Sequence, residues 1–265
     1  MQKKKREIHT HKADILVVYK KSGETMGGLI LRVRNSLRIS PHVKITFAGR
    51  LDPLARGIIL LLREDMRYEK EAFLTLPKTY TFDLVFDVST DTLDVLGKVT
   101  DVATKDILSL EDTERTLRSV LPEFLGKQEQ SYPRYSSKTV KGIPLFEYAR
   151  NYVMVKIPSR NIEIYSLSLI RVYSVKREVF LRELEKKVGA VTGDFRQNEI
   201  NVLWNKRAHE LPPELQVAEV VVECSSGTYV RVLAKKLASK MLRLGIADNI
   251  TRTHVGEFTK EQVIV

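Results

Sequence analysis

The chain has 265 residues, 43% of them hydrophobic, enough for a packed core, and its single cysteine, Cys224, excludes an intrachain disulfide or a thiolate-rich zinc site. Forty-four Lys and Arg against 33 Asp and Glu give a net charge of +11, which favours a polyanionic partner without separating a nucleic-acid binder from a merely basic protein. The longest clean aliphatic run, Ile58 to Leu62, falls far short of the roughly 20 residues a spanning helix needs, so no membrane partner is expected. The expected setting is a reducing compartment, the cytoplasm first, with an organelle or the nucleus as alternatives.

Residues 1–12, MQKKKREIHTHK, form a basic arm with no apolar stretch behind it, the pattern of a solvated end or an arm touching phosphate rather than a secretory signal. The first segment with chemical character is Gly49 to Gly57. Asp52 lies there between Leu51 and Pro53, in a loop bounded by glycines and followed by the apolar Ile58-Ile59-Leu60. Proline biases Asp52 towards an extended backbone and the glycines permit tight turning, so the carboxylate is held at the mouth of a buried strand, where it can serve as nucleophile or base. Taken alone, a Leu-Asp-Pro turn is more often only a turn.

Lys78 to Val88 alternates, with Tyr80, Phe82, Leu84, Phe86 and Val88 on one side, and predicts a half-buried strand. Leu110, Leu117, Val120, Leu121, Phe124 and Leu125 recur at helical spacing, with Ser109 and Asp112 placed like a capping box. Residues 177–213 are dense in charge and end in a Pro-Pro pair. They read as a surface insertion, either a partner-binding elaboration or a tolerated loop, in which Phe180, Leu184 and Val188 can line a short amphipathic helix. Val217 to Cys224 predicts another strand. Ser225-Ser226-Gly227 then turns the chain into a helix with Val230, Leu233, Ala234, Leu237 and Met241 on its apolar face. Strands and helices are interspersed without regular alternation, so the expected class is α+β.

The nonapeptide Gly49-Arg50-Leu51-Asp52-Pro53-Leu54-Ala55-Arg56-Gly57 resembles the G-x-L-D-P-x-A-x-G signature of the TruB family of tRNA pseudouridine synthases. Further blocks follow the family order. Lys20 to Thr25 resembles its K-P-x-G-x-T opening. Lys78-Thr79-Tyr80 and Thr90-Asp91-Thr92-Leu93-Asp94 with Gly97 resemble its K-x-Y and T-D-T-x-D-x-x-G blocks. Pro133 to Lys138, Gly142 and Leu145 to Arg150 resemble its P-x-Y-S-A-x-K…G…L-Y-E-x-A-R stretch. Cys224 to Leu233 is similar to C-S-x-G-T-Y-I-R-x-L, and Ile250 to Phe258 to the closing L-x-R-T…G-x-F.

The resemblance implies a pseudouridine-synthase fold, a largely antiparallel central sheet flanked by helices, carried by residues 13–265 as one catalytic domain; the C-terminal PUA-type domain that the family often adds is a feature this sequence is expected to lack. It implies isomerisation of a uridine in structured RNA, first of all position 55 in the tRNA T arm, by C1′–N1 cleavage and C1′–C5 rejoining. Neither a metal nor an organic cofactor is implied; separately, the absence of a dimerising signature favours a monomer. On the same resemblance Asp52 is the catalytic carboxylate, as nucleophile on the sugar or base in a glycal route, and Arg231 is its ion-pair partner. Tyr80 stacks on the flipped base, Tyr229 packs in the same pocket, and Ile250 lies where the family carries a leucine against the base. Lys20, Lys78, Lys138 and Arg252 are candidate RNA or site-wall contacts, each as readily a plain surface charge. Phe47 stands where the family has a histidine; it can stack but offers no ring nitrogen, a change expected to bear on rate or substrate preference. The alternatives are an RNA-folding protein with little or no catalysis, or pseudouridylation of another RNA.

Overall fold

A computed structural model describes residues 14–103 and 108–265; the basic arm at 1–12 lies outside them. The aliphatic run becomes β3 (Arg56–Arg63), following β1 (Ile15–Lys20) and β2 (Ile45–Ala48). Five consecutive aliphatic residues, Ile58 to Leu62, put apolar side chains on both faces of β3, and both faces are covered. Ile58, Leu60 and Leu62 pack with Val17, Met66 and Phe73, the last from the short helix α2 (Lys70–Thr75). Ile59 and Leu61 pack with Leu29 and Val33 of α1 (Met26–Ser36). Each such aliphatic side chain contributes about 1.5–3 kcal/mol on burial.

The alternating segment forms β4 (Lys78–Phe86), but it is half-buried only at its start. Tyr80, Phe82, Leu84 and Phe86 face one core, while Val85 is buried in a second core on the opposite face, and Asp83 is buried as well. Val88 does not continue this strand. Asp87 turns into the left-handed region at φ 68°, and Val88 opens the hairpin β5 (Val88–Thr90) with β6 (Val99–Val102).

Ser109 caps α3 (Leu110–Val120) by accepting from the Asp112 amide; a 3-10 turn over Leu121–Phe124 leads into β7 (Gly126–Ser131). The hairpin β8 (Thr139–Val140) and β9 (Ile143–Pro144) precedes α4 (Leu145–Arg150) and the long β10 (Ser159–Lys176).

The stretch expected as a surface insertion is no loop. It folds into α5 (Arg177–Gly189) and α6 (Gln197–Arg207). Phe180, Leu184 and Val188 share a core with Ile200, Trp204, Val85, Val217 and Ile246, and the Trp204 indole donates to the Gly97 carbonyl at 3.0 Å. The charges sit on the outer faces of these helices, and the sparse apolar positions between them close one side of the sheet.

β11 (Glu214–Cys224), α7 (Val230–Lys240) and β12 (Gly245–Val255) complete the chain. The main sheet runs β1-β3-β12-β4-β11-β10-β7, with β2 added on β3. Every junction is antiparallel except β3 with β12, which is parallel over Thr251–Arg56 and Arg252–Gly57. Helix α7 lies over the face of Leu84 and Ala247, with α5 and α6 on the other. Among the described residues no helix is long and apolar enough to cross a membrane.

Candidate active site

The Asp52 loop enters the sheet at that parallel junction, and buried groups hold it from behind. Lys20, at the end of β1 and 0% exposed, donates to the carbonyls of Pro53 at 2.9 Å and Ala55 at 2.7 Å. Burial pushes its ammonium down to about 8, partly offset by Glu24 and Asp52. The Gly23 amide donates to Pro53 O at 3.0 Å and the Ser22 hydroxyl to Leu54 O at 2.9 Å, so the Lys20–Thr25 segment is a cradle for the loop. Gly57 has φ 118°, and a Cβ there would lie 2.2 Å from the Arg252 carbonyl, so this close crossing of β3 and β12 requires glycine. Arg252 is buried under the loop, its Nε donating to Ile58 O at 2.7 Å.

Arg231 is the second residue of α7 and reaches Asp52 through both ends of its fork, Nε to Oδ2 at 2.7 Å and Nη2 to Oδ1 at 3.0 Å. The guanidinium is fixed on its other sides by Thr92 O at 2.6 Å and Tyr135 O at 3.2 Å. A second carboxylate, Asp94, stands 3.6 Å from Arg231 Nε and accepts from the Thr92 hydroxyl and the Leu96 amide. Burial pushes the Asp94 carboxyl up to about 6; Arg231 opposes that rise and Asp52 adds to it.

Asp52 opens on a cavity of about 480 Å³ whose lining includes Tyr80, Tyr229, Ile250, Lys78 and Arg252. Burial pushes the Tyr80 phenol up. Tyr229 is held by Gln130, which accepts from its amide at 2.8 Å and donates to its carbonyl at 3.2 Å, and its ring meets Tyr132 edge-on at 5.7 Å. These are the dimensions and surfaces for one planar base with its sugar beside the carboxylate.

The four cations expected as RNA or wall contacts divide. Lys20, Lys78 and Arg252 are buried, with Lys78 donating to the Leu74 and Leu76 carbonyls at 2.6 and 2.5 Å, so they build the wall from within. Lys138 alone is exposed, its ammonium 5.4 Å over the Tyr132 ring, and it lines neither cavity beside Asp52. Phe47 lies across Asp52 from Tyr80, in an adjoining cavity of about 640 Å³ with Tyr135, Arg196 and Arg231. Its ring carries Arg50 at 5.3 Å and Lys70 at 5.5 Å.

Sequence reasoning passed over Asp94 and Tyr135, though both stand in motif blocks quoted above; the second acid of T-D-T-x-D was the available signal. Arg196 gave none. Among the described residues no group of three or more His, Cys, Asp or Glu side chains is gathered to hold a metal ion.

A family model described as "TruB family pseudouridylate synthase (N terminal domain)" matches residues 34–190. A protein named tRNA pseudouridine synthase B from Caldanaerobacter subterraneus subsp. tengcongensis is 29% identical over 247 residues, covering 93% of this chain and 70% of that protein. Its namesake from Aquifex aeolicus is 28% identical over 249 residues, with 94% and 70% covered. Among solved structures, a Cbf5-Nop10-Gar1 complex superposes with a TM-score of 0.56 at 15% identity, over 93% of this chain. An H/ACA RNP bound to a substrate RNA containing 2′-deoxyuridine gives 0.52 at 14% identity, over 94%. The chain spans half the length of each of these two, and the likeness is one of fold.

Proposed function

Because the chain belongs to the TruB family of pseudouridylate synthases, we propose that it isomerises a uridine of structured RNA to pseudouridine, with position 55 in the tRNA T arm as its target. The observation that carries this reading is the bidentate Arg231–Asp52 pair opening on a cavity walled by Tyr80, Tyr229 and Ile250.

A base stacked inside a folded RNA has to be extruded before its glycosidic bond can be reached. Tyr80 offers the flipped uracil a flat aromatic face and Ile250 an aliphatic contact, and Tyr229 lines the same cavity. The Asp52 side chain is 35% exposed, so its oxygens can reach a sugar in the cavity while Arg231 holds their orientation. Asp52 then serves either as nucleophile at C1′ or as base at C2′ in a glycal route. In the first route the Asp52–C1′ bond forms as N1–C1′ breaks and is itself broken as C5–C1′ forms; in the second Asp52 takes the C2′ proton as N1–C1′ breaks and returns it as C5–C1′ forms. In both the uracil turns within the cavity, N1 gains a proton and C5 loses one. The relatives named for tRNA support a tRNA substrate, and the net charge of +11 suits a phosphate-rich partner. A cytoplasmic monomer is the form in which we propose that it acts.

Release of tritium from a T-arm stem-loop labelled at uracil C5 tests the reading. Release by the wild type and none by Asp52→Asn is the expected outcome. Tight RNA binding without release, on the stem-loop and on full-length tRNA, would instead favour an RNA-folding protein.

A further inference from the structure

The turn joining α5 to α6 touches the site from two sides. Thr192 donates to Gly23 O through its amide at 3.1 Å and its hydroxyl at 3.2 Å, and the Gly23 amide in turn holds Pro53 O in the Asp52 loop. Four residues on, Arg196 sits in the left-handed region at φ 65°, a conformation a non-glycine residue keeps only where its surroundings impose it. They do so here. Asp194 accepts from the Arg196 amide, Arg150 donates to Asp194 O at 2.6 Å, and Gln197 donates to the carbonyls of Val191 and Gly193.

The Arg196 side chain donates to Asp91 Oδ2 at 2.6 Å and to the Tyr135 hydroxyl at 2.7 Å, with its guanidinium 4.3 Å over the Tyr135 ring. Arg231 grips the same two elements from the other side, at Thr92 O and Tyr135 O. Two guanidinium groups therefore clamp one turn and one tyrosine between them, and only Arg231 goes on to Asp52.

We propose that Arg196, supplied by the α5–α6 pair, is a positioning residue for the isomerisation: it fixes Asp91 and Tyr135, which fix the fork of Arg231 against Asp52. The inference rests on the function proposed above. Losing Arg196 frees the Tyr135 ring and the 91–92 turn to shift, and displacements of that order in a catalytic pair lower the rate without removing the binding surface.

The experiment is tritium release under saturating and limiting RNA by wild type, Arg196→Ala and Arg196→Lys, with thermal unfolding of each. Arg196→Ala should lose roughly tenfold to a hundredfold in kcat with KM within a factor of about two. Arg196→Lys should recover little, because an ammonium cannot bridge Asp91 and Tyr135 while covering the ring. Millimolar guanidinium, which can enter the adjoining cavity that Arg196 lines, should restore part of the Arg196→Ala rate, and sodium at equal ionic strength should not. An active wild type with kcat unchanged in Arg196→Ala would overturn the inference. So would a rate loss that follows the fraction unfolded and ignores guanidinium. An inactive wild type would instead overturn the proposed function.

Discussion

Arg231 and Asp52 share one bidentate ion pair across unlike surroundings, the guanidinium side chain 3% exposed and the carboxylate 35%. The buried partner is held by two backbone carbonyls and a second carboxylate, so it is a fixed fork on which the exposed partner is oriented. Replacing Arg231 by Met should abolish tritium release. It should also destabilise the fold by about 3 kcal/mol, the low end for breaking a buried pair, since Asp52 can still be hydrated. Arg231→Lys should keep more stability than activity, because a point charge cannot reproduce the planar fork. Urea unfolding beside the release assay separates the two effects.

Asp94 makes the pair sensitive to pH. Its carboxyl is pushed up to about 6 from an ordinary 3.8, chiefly by burial. The native state therefore holds more protons than the unfolded chain between those values. The stability this group contributes is complete below the lower value and is lost as pH rises through the upper one. Asp94→Asn should consequently gain stability relative to wild type as pH is raised from about 4 to about 7. Above about 6 the ionised Asp94 faces Arg231 as a second anion, so the wild-type rate should carry an acid limb near pH 6 that is missing in Asp94→Asn. An identical limb in the variant would assign it to another group.

Lys20 should show the opposite division from Arg231. Its ammonium satisfies carbonyls behind the Asp52 loop and does not line the cavity on which Asp52 opens. Lys20→Met strands buried acceptors, each costing about 1–3 kcal/mol. We expect a lower melting temperature together with substantial tritium release at temperatures where the variant remains folded. Complete loss of release in a folded Lys20→Met protein would show that the lysine does more than hold the loop.

Phe47 faces the cavity across Asp52 from Tyr80, so its contribution should lie in holding RNA beside the target. Loss of one base–aromatic stack is worth about 1–3 kcal/mol, so Phe47→Ala should raise KM roughly tenfold or more with kcat little changed. Phe47→His retains a ring and should stay near wild type. A fall in kcat alone for Phe47→Ala would place the ring in the chemistry instead.

Local pattern was enough to find most of this molecule. The strand around Ile58–Leu62, the helix carrying Arg231 and the Asp52 loop each declare themselves within about ten residues, through apolar spacing or a motif. What local pattern hides is cover and burial. Lys20, Lys78 and Arg252 read equally well as site contacts or surface charges, because burial is not written locally: Lys20 and Arg252 satisfy carbonyls 35 and 194 residues away, and even Lys78, whose acceptors Leu74 and Leu76 are close in sequence, is buried only by the sheet around it. The second half of β4 reads as half-buried because its cover comes from α5, about a hundred residues away. Arg196 is visible only once that cover is in place and the α5–α6 turn meets Asp91.

The same cover decides what deletion of residues 177–213 can report. Their charge density suggests a removable appendage, yet Phe180, Leu184, Val188, Ile200 and Trp204 are buried against Val85, Val217 and Ile246. Removing the stretch would expose one face of the central sheet, so the product should be unfolded or aggregated rather than a folded enzyme with altered RNA affinity. A point change asks the question more gently. Trp204→Ala leaves a large cavity and an unpaired Gly97 carbonyl, and should cost about 3–5 kcal/mol. Its circular dichroism spectrum at low temperature should stay native-like while the urea midpoint falls. A deletion variant that stayed free of aggregates, cooperative in urea and active would mean that these helices lend the sheet little of its stability, and that the sheet face beneath them tolerates water.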